Sequence, residues 1–396
     1  MNRKQLTLLI VLAVVVGGAG WYVYSKKQSS YERGTDANAE GNKLLKGVPT
    51  AAINDVAQIT IKQGTNEVNL TRGGEGWTVK ERAGYSANFE TISEVLKKLW
   101  DLKITRAIEV GPSRLPALKL TKSDATLLDL KDDKGKSVVA LTLGLPATKE
   151  AANDPMGGGS FPNGRYVMRG EDVKTVALVG DALSNIEPKP EDWLNKTWFK
   201  VEKIKSVSVT SKDSTNNWKL TRETESGEWK LADAKADEAV DSGKTSGLNW
   251  LLSSPSFNDI ILNPTPEKTG MTNATTATIE TFEGFTYTLK LGKPEGENHA
   301  LQMTVAGNFP KERTPGKDEK KEDKEKLDKE FADKHKQLEE KLKTEKQFEK
   351  WTYLVSSFTV ETLAKPRKDF LAEKKEEPKP DTAKPEDAKK ETAPKP

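Results

Sequence analysis

The sequence contains no cysteine and only two histidines, His299 and His335, in 396 residues. A chain without cysteine has no disulfide, no thiolate nucleophile, no zinc knuckle and no cysteine-bound iron-sulfur cluster. The chain also lacks an excess of charge of one sign, because 63 Lys and Arg side chains are balanced by 60 Asp and Glu, for a net charge of +3. A nucleic-acid-binding domain is clearly basic on at least one face, so this balance argues against a nucleic-acid partner.

Apolar residues are scarce as well. They make up 35% of the chain and charged residues 31%, against about 45–50% and about 25% in ordinary globular domains. At roughly 150 residues per domain, the length corresponds to two or three domains. We therefore expect part of the chain to stay solvated and the remainder to form more than one folded unit.

One long uncharged run is present, near the N-terminus. Residues 6–24 carry no charge and are mostly apolar, and a helix of that length crosses the ~30 Å hydrocarbon core of a bilayer once. Basic residues flank both ends, and aromatic residues stand near the second end, as in an interfacial belt. The run predicts a transmembrane anchor over residues 1–27. The alternative is a cleaved signal peptide, because Gly17 and Ala19 have the spacing of a cleavage site.

Three further segments differ in composition from a packed domain. Residues 28–50 mix Ser, Gly, Asn and charges with little apolar periodicity, which is typical of a flexible stalk. Residues 373–396 combine Pro, Lys and Glu without any aromatic residue, which predicts a disordered tail. Residues 311–350 are dense in charges of both signs and predict an exposed helix after Pro315.

The charged insertion 311–350 has two features of a stable exposed helix. Oppositely charged residues recur four positions apart, each pair worth a few tenths of a kcal/mol: Glu322 with Lys326, Glu325 with Lys329, Glu330 with Lys334, and Glu339 with Lys343. A thin apolar stripe runs through Leu327, Phe331, Leu338 and Leu342. The stripe is compatible with a coiled-coil seam, a partner-docking edge, or a solvated helix that lies on its own domain.

The remaining chain divides into two similar units of about 150 residues, a first module at 51–200 and a second module at 201–372 that contains the insertion. Residues 56–62 and 204–210 have the same alternating strand pattern. In both units a second alternating stretch follows, and then a turn that carries a tryptophan, Trp77 or Trp229.

Each unit continues with a helix, a hairpin and a closing segment. The first helix has an apolar face at three- and four-residue spacings, with Ser86 or Asn88 as its N-cap; that face consists of Phe89, Ile92, Val95, Leu96, Leu99 and Trp100. Leu248, Leu251 and Leu252 repeat part of it in a weaker second helix, because Gly243 and Gly247 cost about 1 kcal/mol each relative to Ala. Further corresponding pairs are the turns at 132–135 and 283–284, Leu143-Gly144 with Leu291-Gly292, and Trp193-Leu194 with Phe370-Leu371.

This order of elements predicts an α+β fold. We expect two tandem duplicated modules, each an antiparallel sheet with a packed helix, behind an N-terminal transmembrane helix.

The pattern resembles the bacterial family known as domain of unknown function 4340. The resemblance rests on the N-terminal anchor, on the order and spacing of several short segments, and on the helix before residue 102; the segments are Gln58-Ile-Thr-Ile, Gly76-Trp77, Leu102-Lys-Ile-Thr-Arg-Ala, Lys134-Gly-Lys, Leu141-Thr-Leu-Gly144, Gly164-Arg-Tyr-Val and Pro190-Glu-Asp-Trp-Leu-Asn-Lys-Thr. It implies a single-pass protein of the bacterial inner (cytoplasmic) membrane with most of the chain periplasmic or extracytoplasmic. Some members are thought to accompany ABC-type transport components related to gliding machinery, and the family supplies no catalytic residue to carry over.

Motifs with catalytic or cofactor chemistry are few. The glycine-rich stretch at 156–164 leads into a strand rather than a helix and lacks the Gly-Lys-Ser/Thr ending of a phosphate-binding loop. His299 follows a turn and could serve as a base, although a lone turn histidine is usually inert, and His335 stands among charges. We therefore assign no catalytic, cofactor-binding or metal-ligating residue, and we expect no cofactor and no enzymatic activity.

Three functions remain open at this point. The first is a membrane-anchored extracytoplasmic accessory or scaffold protein that binds protein partners of an ABC-type transport or envelope machinery. The second is an envelope protein that binds peptidoglycan, glycan or lipid in a groove between the modules; Trp100, Trp193 and Trp250 are candidates to line it, although core packing is the more usual place for each. The third is a hydrolase that uses two facing carboxylates.

Overall fold

The structure, a computed structural model, describes residues 41–149, 161–170, 175–235, 238–315 and 319–373. The chain forms two antiparallel β-sheets with few helices, which confirms the α+β class. The predicted anchor at 1–27 and the predicted tail beyond residue 373 lie outside the described residues. Within the described residues, no helix is both long enough and apolar enough to cross a bilayer.

The first sheet is built from nine strands. They are β1 (Gln58–Gln63), β2 (Asn66–Gly73), β3 (Gly76–Val79), β4 (Tyr85–Ser86), β5 (Ile104–Glu109), β6 (Thr126–Lys131), β7 (Ser137–Lys149), β8 (Phe161–Arg169) and β9 (Thr175–Val179). Their order across the sheet is β4-β3-β2-β1-β6-β7-β8-β9-β5. Burial alternates along the central strands, so one face of the sheet is packed and the other is more open, as expected for an antiparallel sheet.

Helix α1 (Phe89–Asp101) joins two strands that are consecutive in the chain but lie at opposite edges of this sheet, β4 and β5. A helix of 13 residues is ~20 Å long, whereas the nine strands, laid flat at ~4.8 Å spacing, extend over ~38 Å. The helix is therefore shorter than the flat sheet is wide, so residues that flank α1 contribute to the crossing, and the buried side chains of α1 belong to the hydrophobic core of the sheet.

The sequence of α1 explains its limits and its buried face. The side chain of Asn88 accepts hydrogen bonds from the backbone amides of Glu90 and Thr91, so Asn88 is the N-cap. Five of the six predicted apolar residues are buried, namely Ile92, Val95, Leu96, Leu99 and Trp100. Phe89 is the exception, with 65% of its surface exposed; it is the first helical residue, placed before the helix passes over the sheet.

The second sheet is built from eight strands. They are β10 (Ile204–Thr210), β11 (Trp218–Thr221), β12 (Lys230–Leu231), β13 (Asp259–Ile260), β14 (Thr275–Thr281), β15 (Phe285–Leu291), β16 (Asn298–Gly307) and β17 (Tyr353–Ser356), in the order β12-β11-β10-β14-β15-β16-β17-β13. The remaining helices are α2 (Ser242–Thr245), α3 (Lys321–Glu345) and α4 (Ser357–Ala364).

The two sheets have the same strand order once β4 is left out. Matching β1–β3 to β10–β12 and β5–β9 to β13–β17 reproduces the whole arrangement. The ends of the two units correspond as well, because Ala87 bridges Leu194 and Val240 bridges Leu371. In the second sheet, the connection from edge strand β12 to the opposite edge strand β13 contains α2 and a 3-10 helix at Ser246–Trp250 instead of one continuous helix.

The packed part of the chain begins earlier than the sequence predicts. A flexible stalk is expected up to residue 50, but Leu44 and Leu45 are buried. The backbone amide of Gly41 donates to the carbonyl of Ile104 at 2.8 Å, and that of Leu44 donates to Leu102 at 2.7 Å. Burial of the two leucines and these backbone hydrogen bonds hold residues 41–50 on the fold despite their polar composition. The rest of the predicted stalk, residues 28–40, lies outside the described residues.

An aromatic cluster joins the two sheets. Tyr85 of β4 contacts Phe257, Trp351 and Tyr353, with ring centroids 5.8, 5.1 and 6.3 Å away. Trp198, in the connection between the sheets, lies 5.3 Å from Phe257 and 4.6 Å from Tyr353. Burial raises the pKa of Tyr85 to about 12, so its hydroxyl is neutral at physiological pH. The two sheets therefore share one continuous hydrophobic core.

An ion pair lies beside this cluster. The guanidinium of Arg82 donates from Nε and Nη2 to the two carboxylate oxygens of Asp259, at 2.6 and 2.7 Å, and Nη2 also donates to Glu191 at 3.2 Å. The hydrogen bond to Asp259 raises the pKa of Arg82 against the opposing effect of burial. A paired, two-point contact of this kind fixes orientation as well as distance.

Two glycines at equivalent positions require the absence of a side chain. A Cβ on Gly144 would collide with the backbone carbonyl of Leu118, and a Cβ on Gly292 would collide with that of Thr269. The Leu118 carbonyl is held in place because it accepts a hydrogen bond from the amide of Leu145 at 2.8 Å. In each sheet, a preceding loop packs directly on the backbone at the Leu-Gly pair.

We predict that Arg82→Met lowers the free energy of unfolding by about 1–3 kcal/mol, because Asp259 is left partly buried without its charged donor. Urea unfolding followed by circular dichroism measures the change. Lys43→Met is the control, since Lys43 and Asp101 form an exposed pair, and it should change stability much less. Equal effects of the two substitutions would contradict the proposed importance of the Arg82 contact.

We also predict that Gly292→Ala and Gly144→Ala each destabilise the fold by about 1–3 kcal/mol, because a backbone carbonyl has to move. Gly247→Ala is the matched control. Gly247 has open space around its Cα, so alanine should be neutral or stabilising by up to about 1 kcal/mol. A thermal unfolding series of the three variants tests this, and a stable Gly292→Ala protein would show that the close approach is tolerated.

Candidate functional site

The most exposed tryptophan of the described residues lies on the short connection that crosses the second sheet. The Asp241 side chain accepts hydrogen bonds from the amides of Gly243 and Lys244 and so begins α2. Leu248 and Leu251 are buried and hold the following 3-10 helix on the sheet. Trp250 lies between them on the outer side, with 76% of its surface exposed.

The residues behind Trp250 form a fixed polar support. The side-chain oxygen of Asn249 accepts hydrogen bonds from Arg222 Nη1 at 2.9 Å and from Trp229 Nε1 at 3.1 Å. Arg222 is buried, donates from Nε to the carbonyl of Ile204 at 2.7 Å, and stacks over the Trp229 ring at 4.8 Å. These contacts hold the backbone next to Trp250 in one conformation.

Helix α3, from the charged insertion, forms the opposite wall. Leu338 and Leu342 pack against the hydrophobic core of the sheets. Near the end of the helix, the buried carboxylate of Glu345 accepts hydrogen bonds from the Lys200 amide at 3.1 Å and the Tyr287 hydroxyl at 2.8 Å. Burial raises the pKa of Glu345, because its hydrogen bonds and the ammonium of Lys341 only partly compensate for the loss of water.

A carboxylate shared by two lysines connects the two walls. Glu283, in the turn before β15, contacts Lys203 at 3.1 Å and Lys334 of α3 at 2.7 Å. Burial acts to raise the pKa of Glu283, but hydrogen bonds from the two ammonium groups outweigh burial, so the pKa is lowered. Glu283 is therefore ionised at neutral pH, and the three groups together carry one positive charge.

Between the walls lies an open groove of about 490 Å³. Small-molecule sites in proteins occupy ~300–1,000 Å³, so the groove has the size of a binding site. Its lining residues are Val201, Glu202, Lys203, Asn249, Trp250, Ser253, Glu283, Lys334, Gln337, Leu338 and Lys341. We call it the Trp250 groove. Three lysines and two glutamates line it, and a smaller neighbouring groove that also contains Trp250 adds Arg222 and Glu225.

Of the three tryptophans considered as groove residues, two lie in the core, the more usual place for such residues. Trp100 is 4% exposed and Trp193 is 1% exposed. Each indole satisfies its N–H internally, Trp100 with the carbonyl of Pro49 at 3.3 Å and Trp193 with that of Glu187 at 3.1 Å. Trp250 does line a groove, but this groove lies within the second unit, between the sheet and the insertion.

The insertion forms the predicted helix, with a different pattern of ion pairs. Lys334 pairs with Glu283 rather than with Glu330, which instead contacts Lys326 at 3.8 Å. The apolar stripe faces the helix's own domain, because Leu338 and Leu342 pack on the core. Of the three alternatives for the stripe, the contacts favour a helix lying on its own domain. The sequence could not reveal Lys203 and Glu283 as neighbours of this helix, because they are distant in the chain.

The remaining sequence candidates have structural surroundings. His299 is buried, and its Nδ1 lies 3.0 Å from the carbonyl of Gly292. Arg165 makes the equivalent contact in the first sheet, donating from Nε to Gly144 at 3.0 Å. In the stretch 156–164, residues up to 160 lie outside the described residues, and the rest belongs to β8.

In the described part of the chain, side chains are not arranged as in a typical metal site or as in a hydrolase with two facing carboxylates. No group of three or more His, Asp or Glu side chains there could hold a metal ion. The two carboxylates that line the Trp250 groove are paired with lysines, Glu202 with Lys341 at 2.9 Å and Glu283 with Lys203 and Lys334. The arrangement is suited to binding a ligand through an aromatic face, hydroxyl partners and a positive charge.

The fold is that of an α+β protein with two antiparallel sheets of the same strand order. The family model for the domain of unknown function DUF4340 matches residues 77–274, half of the chain, and the chain belongs to this family. The matched residues run from β3 of the first sheet into the second sheet and include Trp250, whereas helix α3 lies outside the match. No curated protein and no solved structure matches the chain.

We predict that Glu345→Gln and Glu345→Ala have different effects. Gln retains a carbonyl for the Lys200 amide and an N–H for Tyr287 without a buried charge, so it should be at least as stable as the wild type at pH 8. Ala leaves both partners unsatisfied, which should cost about 1–3 kcal/mol. Urea unfolding at pH 8, 6 and 5 measures both.

The sign of the pH effect follows from the raised pKa of Glu345. The folded protein takes up the proton at higher pH than the unfolded chain, so wild-type stability relative to Glu345→Gln increases as the pH falls. The advantage of Gln should be largest at pH 8 and disappear near the ordinary glutamate pKa of 4.5. An advantage that grows with acidity would contradict the assignment.

Proposed function

We propose that this protein is a single-pass, membrane-anchored extracytoplasmic accessory or scaffold protein of the bacterial inner membrane. In this proposal residues 1–27 hold it in the membrane, and two tandem copies of one module form the binding body. The uncharged run at 6–24 supports the anchor. The shared strand order of the two sheets supports the duplication.

The observation that carries the scaffold role is the joining of the two sheets. The aromatic cluster around Tyr85 and the ion pair of Arg82 with Asp259 hold the sheets together through buried contacts. A body of this kind presents a large, defined surface. Such a surface suits protein partners, and we propose subunits of an ABC-type transport or envelope machinery as those partners.

Two exposed aromatic residues are the proposed contact points. Phe89 is 65% exposed and Phe358 is 84% exposed, in the first and second units. Aromatic side chains are enriched at protein interfaces and are frequent sources of binding energy. Neither residue belongs to the Trp250 groove, so protein binding and ligand binding can be tested separately.

We predict that a photo-crosslinking amino acid in place of Phe89 or Phe358 forms adducts with membrane-transport or envelope subunits in intact cells. Placement at Glu223, whose side chain is 86% exposed, is the control and should give none. The same experiment without residues 1–27 should lose the adducts, because the protein is no longer held at the membrane. Mass spectrometry identifies the partners, and adducts only with itself, or equal adducts at all three positions, would overturn the proposal.

A further inference from the structure

We propose that the Trp250 groove is a binding site for a saccharide that carries a single carboxylate. The sugar ring would stack on the exposed indole of Trp250, its hydroxyls would bond to the polar lining, and its carboxylate would lie near Lys203 and Lys334. This site is independent of the protein-binding function proposed above.

The exposed indole supplies the stacking surface. Within the described residues, no aromatic ring and no cation covers Trp250, and 76% of its surface is open to solvent. Leaving an indole of this size in water forgoes the free energy of its burial. The backbone that carries Trp250 is nevertheless held in place, because Leu248 and Leu251 are buried on either side of it. The side chain of Asn249 is also hydrogen-bonded to Arg222 and Trp229. A preformed aromatic platform loses little entropy on binding.

The polar lining matches hydroxyl groups better than phosphates. Glu202 and Gln337 line the groove together with Ser253, and they provide acceptors and donors for vicinal hydroxyls, which both donate and accept hydrogen bonds. A phosphate monoester carries about 1.5 to 2 negative charges at neutral pH, more than the one positive charge that three lysines and two glutamates leave in the lining. A nucleotide would therefore bring more negative charge into the groove than its lysines balance.

The charge of the groove indicates an anion of low charge. Glu283 neutralises only one of its two lysine neighbours, Lys203 and Lys334, and Lys341 is already paired with Glu202. One positive charge is left over between the sheet and helix α3. A single carboxylate on the ligand would complete the balance, whereas a neutral sugar would use only the indole and the hydroxyl partners.

The test compares sugars that differ in the acid group. Purified full-length protein is titrated with glucuronic acid against glucose, and with N-acetylmuramic acid against N-acetylglucosamine, by saturation-transfer difference NMR. We expect saturable binding of at least one acid, about fivefold or more tighter than its neutral counterpart, and weaker binding of the acid at higher salt. The two pairs distinguish a uronic acid from a cell-wall sugar as the source of the chemistry.

Variants assign the binding to the groove. Trp250→Ala should weaken acid binding about tenfold or more, while Trp250→Phe should retain most of it, because a ring is kept. Lys334→Gln should reduce the preference for the acid without changing the affinity for the neutral sugar. Leu262→Ala, which removes an exposed apolar side chain outside the groove, is the control and should bind as the wild type does. Urea unfolding of each variant verifies that it is folded.

Several results would overturn the proposal. They are the absence of saturable binding by either acid, equal affinity for acid and neutral sugars, an unchanged affinity in a folded Trp250→Ala variant, and tighter binding of adenosine monophosphate than of both acids.

Discussion

The connection between the two edges of each sheet is the constraint on which the rest of the structure depends. The strand that follows this connection lies at the edge opposite to the strand before it, so the intervening segment has to cross the full face. In the first sheet a regular helix does this and buries Ile92, Leu99 and Trp100. In the second sheet, the glycines at 243 and 247 accompany a break into a four-residue helix and a 3-10 turn. That irregular crossing leaves Trp250 in solvent.

The charged insertion covers part of the outside of the second sheet. Helix α3 lies against the core through Leu338 and Leu342 and is held by carboxylates at both walls, Glu283 and Glu345. Their surroundings shift the pKa values of the two carboxylates in opposite directions. Glu283 has a lowered pKa because two lysines contact it, and Glu345 has a raised pKa because burial dominates. The helix thus turns an open side of the sheet into the groove that contains Trp250.

Much of the fold follows from local pattern. Alternating residues gave β1 and β10 their buried faces, and the cap at Asn88 and the spacing from Ile92 to Trp100 defined α1. The site was harder to foresee. A tryptophan in an apolar helix pattern is usually a core residue, and Trp100 is one, whereas Trp250 stands outside the repeated apolar positions of the second unit and is exposed. Leu248 and Leu251 take the buried positions of this turn, which leaves Trp250 on its outer side.

The sequence by itself determined the α+β class, the helix of the insertion and the family resemblance, because periodicity, capping and turn residues are local properties. Tertiary structure decided that Leu44 and Leu45 belong to the packed body, that Arg82 meets Asp259, and that Lys334 bonds to Glu283 rather than along its own helix. These contacts join residues far apart in the chain. Their formation depends on how the two sheets and their connections pack, which no local pattern encodes.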